Sequence, residues 1–139
     1  MLVNGGNMKR KSICKIVTFE AAHRLHNPDL TEKENLDLYG PCNSLHGHTY
    51  KLECCVSGPV ADSGFIMNFK DLKKILQEEV LDKYDHAYLN DLLGNLSTCE
   101  NQIDILWADI SAKLTTESIR LEQLKLWETP TSFCVLSRS

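Results

Sequence analysis

Ser12 to Leu25, SICKIVTFEAAHRL, opens on β-branched residues and alternates apolar with polar positions, which predicts a first strand ending near His23. The stretch from His26 to Ser44 holds Pro28, Pro41 and several Asn and Asp residues, and reads as a long surface loop. Strand character returns in HGHTYKLECCVSG, residues 46–58, and Gly58-Pro59 closes it. Between Phe65 and Tyr84 the pattern changes period. Phe69, Leu72, Ile75, Leu76, Val80 and Leu81 recur at spacings near three and four, as on one face of a helix. A second helix is expected to start near Ser97 or Thr98, with Glu100 in its first turn and a stripe of Ile103, Leu106, Trp107, Ile110 and Leu114. Two short strands, Arg120 to Trp127 and Ser132 to Leu136, flank a Thr129-Pro130 turn.

The element order ββααββ describes an α+β fold: an antiparallel four-stranded sheet with two helices on one face. A chain of 139 residues is the size of one domain, here expected over 12–139 behind a flexible, weakly patterned leader, 1–11. Such a sheet leaves an edge or a face in need of cover, so a homo-oligomer is expected.

Composition narrows the class. Apolar residues at 42% and charged residues at 24% are those of a chain that folds around a core. A net charge of -4 with no basic stripe argues against a nucleic-acid partner. Neither a membrane-length apolar run nor an apolar signal core stands near the N-terminus, so a cytoplasmic protein is expected. Six cysteines lie at 14, 42, 54, 55, 99 and 134 without a C-x-x-C pair, and reduced thiols are expected because the apolar content can build a core unaided. Cys54 and Cys55, adjacent in a strand, must face opposite sides.

The chemistry-bearing residues begin with the histidines. In a strand, His46 and His48 project from the same face, with Gly47 adding no bulk between them. His23, at the end of another strand, completes a three-imidazole set if the two strands pair. Three protein ligands with an open fourth position describe a catalytic zinc site; the alternative is three solvent-facing or core histidines that only satisfy hydrogen bonds. His26 is a further imidazole in the adjoining loop.

Cys42, presented by the Gly40-Pro41 turn four residues before His46, has three readings: a thiol activated for proton transfer, a metal ligand, or a small packed side chain. Asp85-His86 is either a proton-transfer pair, with the carboxylate fixing the imidazole tautomer, or a pair of turn residues. Glu128 ends a largely apolar strand, where its carboxylate can take two hydrogen bonds from a planar guanine-like ring or stand at the surface. Thr98 and Glu100 read first as helix cap and first-turn residues and second as substrate contacts.

Taken in order, FEAAHRL (19–25), CNSLHGHTYKLE (42–53), GFIMNFKDLKK (64–74), YDHAYLND (84–91), TCEN (98–101) and WETPTSF (127–133) resemble the 6-pyruvoyl-tetrahydropterin synthase family. The resemblance is stronger to its 6-carboxy-tetrahydropterin synthase branch, which serves queuosine biosynthesis. It implies the tunnelling fold, with pterin pockets between the subunits of a barrel-forming oligomer, usually a hexamer of two trimers. By the same resemblance, His23, His46 and His48 hold zinc, Cys42 is the general base, Asp85 and His86 transfer protons, and Glu128 binds the pterin edge beside Thr98 and Glu100. The implied reaction converts 7,8-dihydroneopterin triphosphate to 6-carboxy-5,6,7,8-tetrahydropterin, acetaldehyde and triphosphate.

The C-x3-H-G-H spacing is that of the carboxy-forming branch, the animal pyruvoyl-forming enzymes having two more residues in this interval. Three positions depart from the bacterial carboxy-forming pattern: Asn43 and Ser44 stand where basic residues are common, and Ala87 where a lysine is common. Arg24, Lys51 and Lys70 are the remaining candidates for the triphosphate. The competing readings are a pyruvoyl-forming synthase and a non-catalytic, zinc-stabilised pterin-binding module.

Overall fold

In the computed structural model, which describes residues 10–114 and 116–139, the chain is organised around one long antiparallel pair. Strand β1 (Lys11–His23) pairs with β2 (His46–Gly58) without interruption, from Lys11 opposite Gly58 to His23 opposite His46. Strand β4 (Arg120–Thr129) joins the other edge of β2, and β5 (Ser132–Ser137) joins β4. Of the predicted leader, residues 1–9 lie outside the described part. Arg10 donates to Ser57 Oγ at 2.6 Å, and Lys11 already belongs to β1.

The expected four antiparallel strands are five in a mixed sheet ordered β3-β1-β2-β4-β5. The added strand, β3 (Ala87–Tyr88), runs parallel to β1 opposite Ala21 and Ala22. Two residues carry no readable period, and this strand exists only because the neighbouring turn is pinned to β1. His86 N donates to Glu20 O at 2.5 Å, while Asp85 Oδ1 accepts from Glu20 N at 2.9 Å.

The predicted two helices are likewise an undercount. Helix α1 (Glu32–Tyr39) occupies the middle of the stretch read as a loop. Its start was legible: Thr31 and Glu34 form a reciprocal capping box. An apolar face was not, because Leu36 and Leu38 point to solvent and the buried residue is Asn35, whose amide donates to the carbonyls of Asn27, Leu30 and Thr31. Gly40, at φ +54°, then turns the chain into a 3-10 turn (Gly40–Asn43).

Helix α2 (Phe69–Leu76) starts at the Asn68 cap, four residues later than expected, and runs on through a π turn (Gln77–Leu81) into a last turn (Asp82–Tyr84). Leu72, Leu76, Val80 and Tyr84 are all buried. A four-residue spacing drifts by about 40° per step in an α-helix, and the wider π turn returns the later residues to the core side. After the short helix α3 (Leu89–Leu93), helix α4 (Cys99–Lys113) begins where predicted, with Thr98 Oγ1 accepting from Asn101 N at 3.2 Å.

Helices α2 and α4 cover one face of the sheet. Val17, Phe19 and Ala21 of β1, Tyr50, Leu52, Cys54 and Val56 of β2, and Leu121, Leu124 and Leu126 of β4 point into that layer. None of the described helices is long and apolar enough to cross a membrane.

Cys54 is buried in the core and Cys55 faces the other side, as strand alternation requires. The expectation of six reduced thiols is corrected for one pair: the β1–β2 register sets Cys14 opposite Cys55, with Cα atoms 4.1 Å apart, and the two form a disulfide. Cys42, Cys54, Cys99 and Cys134 are free. Thiol titration of the denatured, unreduced protein should therefore find four reactive groups, rising to six after reduction; six from the start would place Cys14 and Cys55 in the dithiol form.

Candidate metal centre and its surroundings

Two strand ends build the cluster. His46 and His48 share the inner face of β2 with Tyr50, and His23 is the last residue of β1, directly opposite His46. The ring centroids of His23, His46 and His48 are 4.6, 5.3 and 4.9 Å apart in pairs, and one nitrogen from each lies within 4.8 Å of the others. The sequence prediction that these three imidazoles converge therefore matches the geometry.

The surroundings set the tautomers. His23 Nδ1 donates to Ser97 O at 2.9 Å, and His46 Nδ1 donates to Ser44 O at 2.7 Å. A carbonyl can only accept, so both Nδ1 atoms carry the proton and both Nε2 atoms present a bare lone pair. His46 Nε2 is buried without a hydrogen-bond partner, and His48 Nε2 is buried with the Glu128 carboxylate 3.2 Å away. A buried acceptor left without a partner costs about 1–3 kcal/mol, and a bound cation would remove that cost. Burial also lowers the pKa of His23 and of His48, against the raising influence of Ser97 O on the first and Glu128 on the second, which favours the neutral imidazole a metal needs. Donor set, tautomers and protonation thus all fit a divalent ion such as zinc.

Beneath the cluster, Tyr50 is fully buried with its hydroxyl 3.5 Å from His23 Nε2. Gln102 Nε2 donates to Tyr50 Oη at 3.3 Å and to Ser97 O at 2.8 Å, joining the floor of the site to the carbonyl that orients His23. Ser44, Tyr50, Ser97 and Gln102 were not among the sequence candidates. All four are polar residues beside or inside apolar runs, and only contacts across the fold give them a common address.

Glu128 arrives at the cluster from β4, its Oε1 3.2 Å from His48 Nε2. Cys42 sits half-buried in the 3-10 turn; its carbonyl accepts from Leu25 N at 2.8 Å, two residues beyond His23. Its sulfur is not among the ligand atoms that gather within 4.8 Å at the three histidines, which argues against the ligand reading. His26 is also outside that group, and its Nδ1 is 3.3 Å from Arg24 Nη2. Arg24 is turned toward Asn43, donating to its O at 2.9 Å and its Oδ1 at 3.2 Å.

Asp85 and His86 do face each other, Oδ1 to Nδ1 at 3.1 Å. His86 adopts φ +62°, uncommon for a residue with a Cβ, and is held there by its main-chain bond to Glu20. An open depression of about 420 Å³ carries both His48 and His86 in its lining, beside Glu20 and Thr49. Thr98 is used as the α4 cap, and Glu100 is exposed in the first turn of that helix, outside the group of ligand atoms at the three histidines.

The Glu20 N–H bond, followed by the His86 contact, lowers the Asp85 pKa. A depressed carboxylate pKa contributes stability that is complete above the unfolded value, near 4, and disappears as pH falls through the folded one. NMR titration should place the Asp85 midpoint below about 4, and Asp85→Asn should differ in stability from the parent at neutral pH but converge with it in acid. An unshifted midpoint would contradict this.

The family model for 6-pyruvoyl tetrahydropterin synthase matches residues 12–139. A 6-pyruvoyl tetrahydrobiopterin synthase of Dictyostelium discoideum is 38% identical over 122 residues, 84% of this chain and 88% of the relative. A 6-carboxy-5,6,7,8-tetrahydropterin synthase of Haemophilus influenzae is 33% identical over 147 residues, covering 88% and 95% of the two chains. The structure of Caenorhabditis elegans 6-pyruvoyl tetrahydropterin synthase superposes with a TM-score of 0.85 at 28% identity, over 95% of this chain and 98% of that one. With a match that spans both histidine strands, the core helices and the β4–β5 hairpin, the chain belongs to the 6-pyruvoyl tetrahydropterin synthase family.

Proposed function

We propose that this protein is a zinc-dependent 6-carboxy-tetrahydropterin synthase, converting 7,8-dihydroneopterin triphosphate to 6-carboxy-5,6,7,8-tetrahydropterin with release of acetaldehyde and triphosphate, in queuosine biosynthesis. The observation that carries the metal-dependent reading is the set of three converging imidazoles, one of them, His46, with a buried Nε2 that nothing in the protein satisfies. The choice of product rests on the short interval between Cys42 and His46.

Bound at His23, His46 and His48, zinc would supply a Lewis acid for the hydroxyl oxygens of the substrate side chain. The remaining work falls to the protein. Glu128 accepts from the N–H edge of the pterin ring, so that a flexible encounter becomes a positioned one. Its location 3.2 Å from His48 supports a pterin anchored against the metal end of the sheet. Cys42, as thiolate, takes a proton from the substrate side chain. His86 delivers or accepts a second proton on the side opened by the shared depression, with Asp85 holding its Nδ1–H. Thr98 and Glu100 complete the pocket from the start of α4.

A homo-oligomer, with a hexamer of two trimers favoured, follows from the same reading. Its support in this chain is β5, an edge strand that exposes Phe133 and Val135. A second reading, 6-pyruvoyl product formation in tetrahydrobiopterin synthesis, is favoured by the similarity to the 6-pyruvoyl tetrahydrobiopterin synthase of Dictyostelium discoideum.

Zinc-loaded protein incubated with 7,8-dihydroneopterin triphosphate should yield the 6-carboxy product by mass analysis together with acetaldehyde. A 6-pyruvoyl product without acetaldehyde would establish the second reading, and no turnover with full zinc occupancy would favour a non-catalytic pterin-binding module. His46→Ala should lose bound zinc, measured by metal analysis. Cys42→Ala should keep its zinc and lose turnover by roughly 10²–10⁴-fold, the range expected of a proton-transfer group; parallel loss of metal and activity would make Cys42 a ligand.

A further inference from the structure

The β3 ladder against β1 stops at Ala22 opposite Tyr88, one residue short of His23. Beyond that point a side chain continues it. Asn90 Oδ1 accepts from Arg24 N at 3.0 Å, and Asn90 Nδ2 donates to Arg24 O at 2.8 Å. A primary amide presents the same donor and acceptor as a peptide group, so Asn90 acts on Arg24 as one more strand residue would.

The same amide reaches His23 from a second direction. Ser97 Oγ donates to Asn90 Oδ1 at 3.4 Å, which leaves the Ser97 oxygen lone pairs facing His23 Nδ1 at 3.2 Å, beside the Ser97 carbonyl at 2.9 Å. His23 and Ser97 are both buried, at 1% and 0% exposure, so water cannot replace these contacts freely. Asn90 thereby holds the peptide that follows His23 and the hydroxyl that faces its ring. Glu20, on the other side of His23, is pinned by Asp85 and His86 from the same segment of chain.

We propose that Asn90 is a positioning residue for the metal centre: it holds the end of β1 and the Ser97 hydroxyl so that His23 keeps its Nδ1 proton and aims a bare Nε2 at the space between His46 and His48. This rests on the reading of the three histidines as metal ligands. It assigns a task within YDHAYLND to a residue that touches neither metal nor substrate. Asn90→Ala removes both arms. Asn90→Asp keeps the acceptor toward Arg24 N and Ser97 but has no donor for Arg24 O.

The test measures zinc affinity of the full-length protein by competition with a chromophoric chelator, for the parent, Asn90→Ala, Asn90→Asp and His46→Ala, with circular dichroism on each. Asn90→Ala is expected to weaken zinc binding by roughly 10–100-fold, the usual effect of losing a group that orients a metal-bound histidine, and Asn90→Asp to fall between it and the parent. Nitrogen-detected NMR of the metal-free protein should show the His23 Nδ1–H tautomer in the parent and a mixture in Asn90→Ala. A purely structural role would lower thermal stability yet leave zinc affinity within twofold and the tautomer unchanged, which overturns the proposal. If Asn90→Ala does not fold, the same criteria apply to Asn90→Asp. Failure of the parent to bind zinc, or binding by His46→Ala equal to the parent, would overturn the metal reading itself and the proposal with it. Loss of zinc in His46→Ala with parent-like binding in Asn90→Ala would overturn the proposal alone.

Discussion

Slipping β2 by one residue against β1 would turn His46, His48, Tyr50, Leu52, Cys54 and Val56 from the helix-covered face to the opposite one. Core and candidate site therefore depend on one register. Its anchors are spread along the ladder: Phe19 stacks on the opposite Tyr50 with ring centroids 5.0 Å apart, and Cys14 and Cys55 are joined near the far end. The apolar residues that make any slip costly also deliver the two β2 imidazoles to their place opposite His23.

The layer beneath the histidines carries an unusual concentration of buried polar groups for so small a core. His23, Ser97 and Gln102 are buried with Tyr50, and almost every hydrogen-bonding atom among them is matched. An unsatisfied buried polar atom costs more than a satisfied one contributes, so such a network holds its members to one arrangement. The exception is Nε2 of His46, in the group where one nitrogen from each of the three histidines lies within 4.8 Å of the others. That contrast between a paired surround and an unpaired nitrogen is the physical mark of a site that receives a ligand.

Geometry separates groups that act together from groups that share only a motif. Asp85 and His86 belong to a tight turn against β1, and His86 lines the depression that His48 also lines. Thr98 spends its side chain on the α4 cap and Glu100 faces solvent. Arg24, bound to Asn43, is part of the scaffold around the Cys42 turn.

By itself, the sequence determined four of the strands to within one or two residues at their ends, the cap of α4, the opposite facing of Cys54 and Cys55, and the convergence of His46 and His48, because each follows from a local period or a capping pattern. It also holds the capping box of α1, although that helix shows no apolar stripe to mark it as one. Tertiary structure alone decided β3, the π turn, the Cys14–Cys55 disulfide and the Asn90, Ser97, Tyr50 and Gln102 contacts around His23. Periodicity reports which face a residue occupies, whereas these features depend on which distant residue lies opposite. That is set by strand register and helix packing, summed over the whole core.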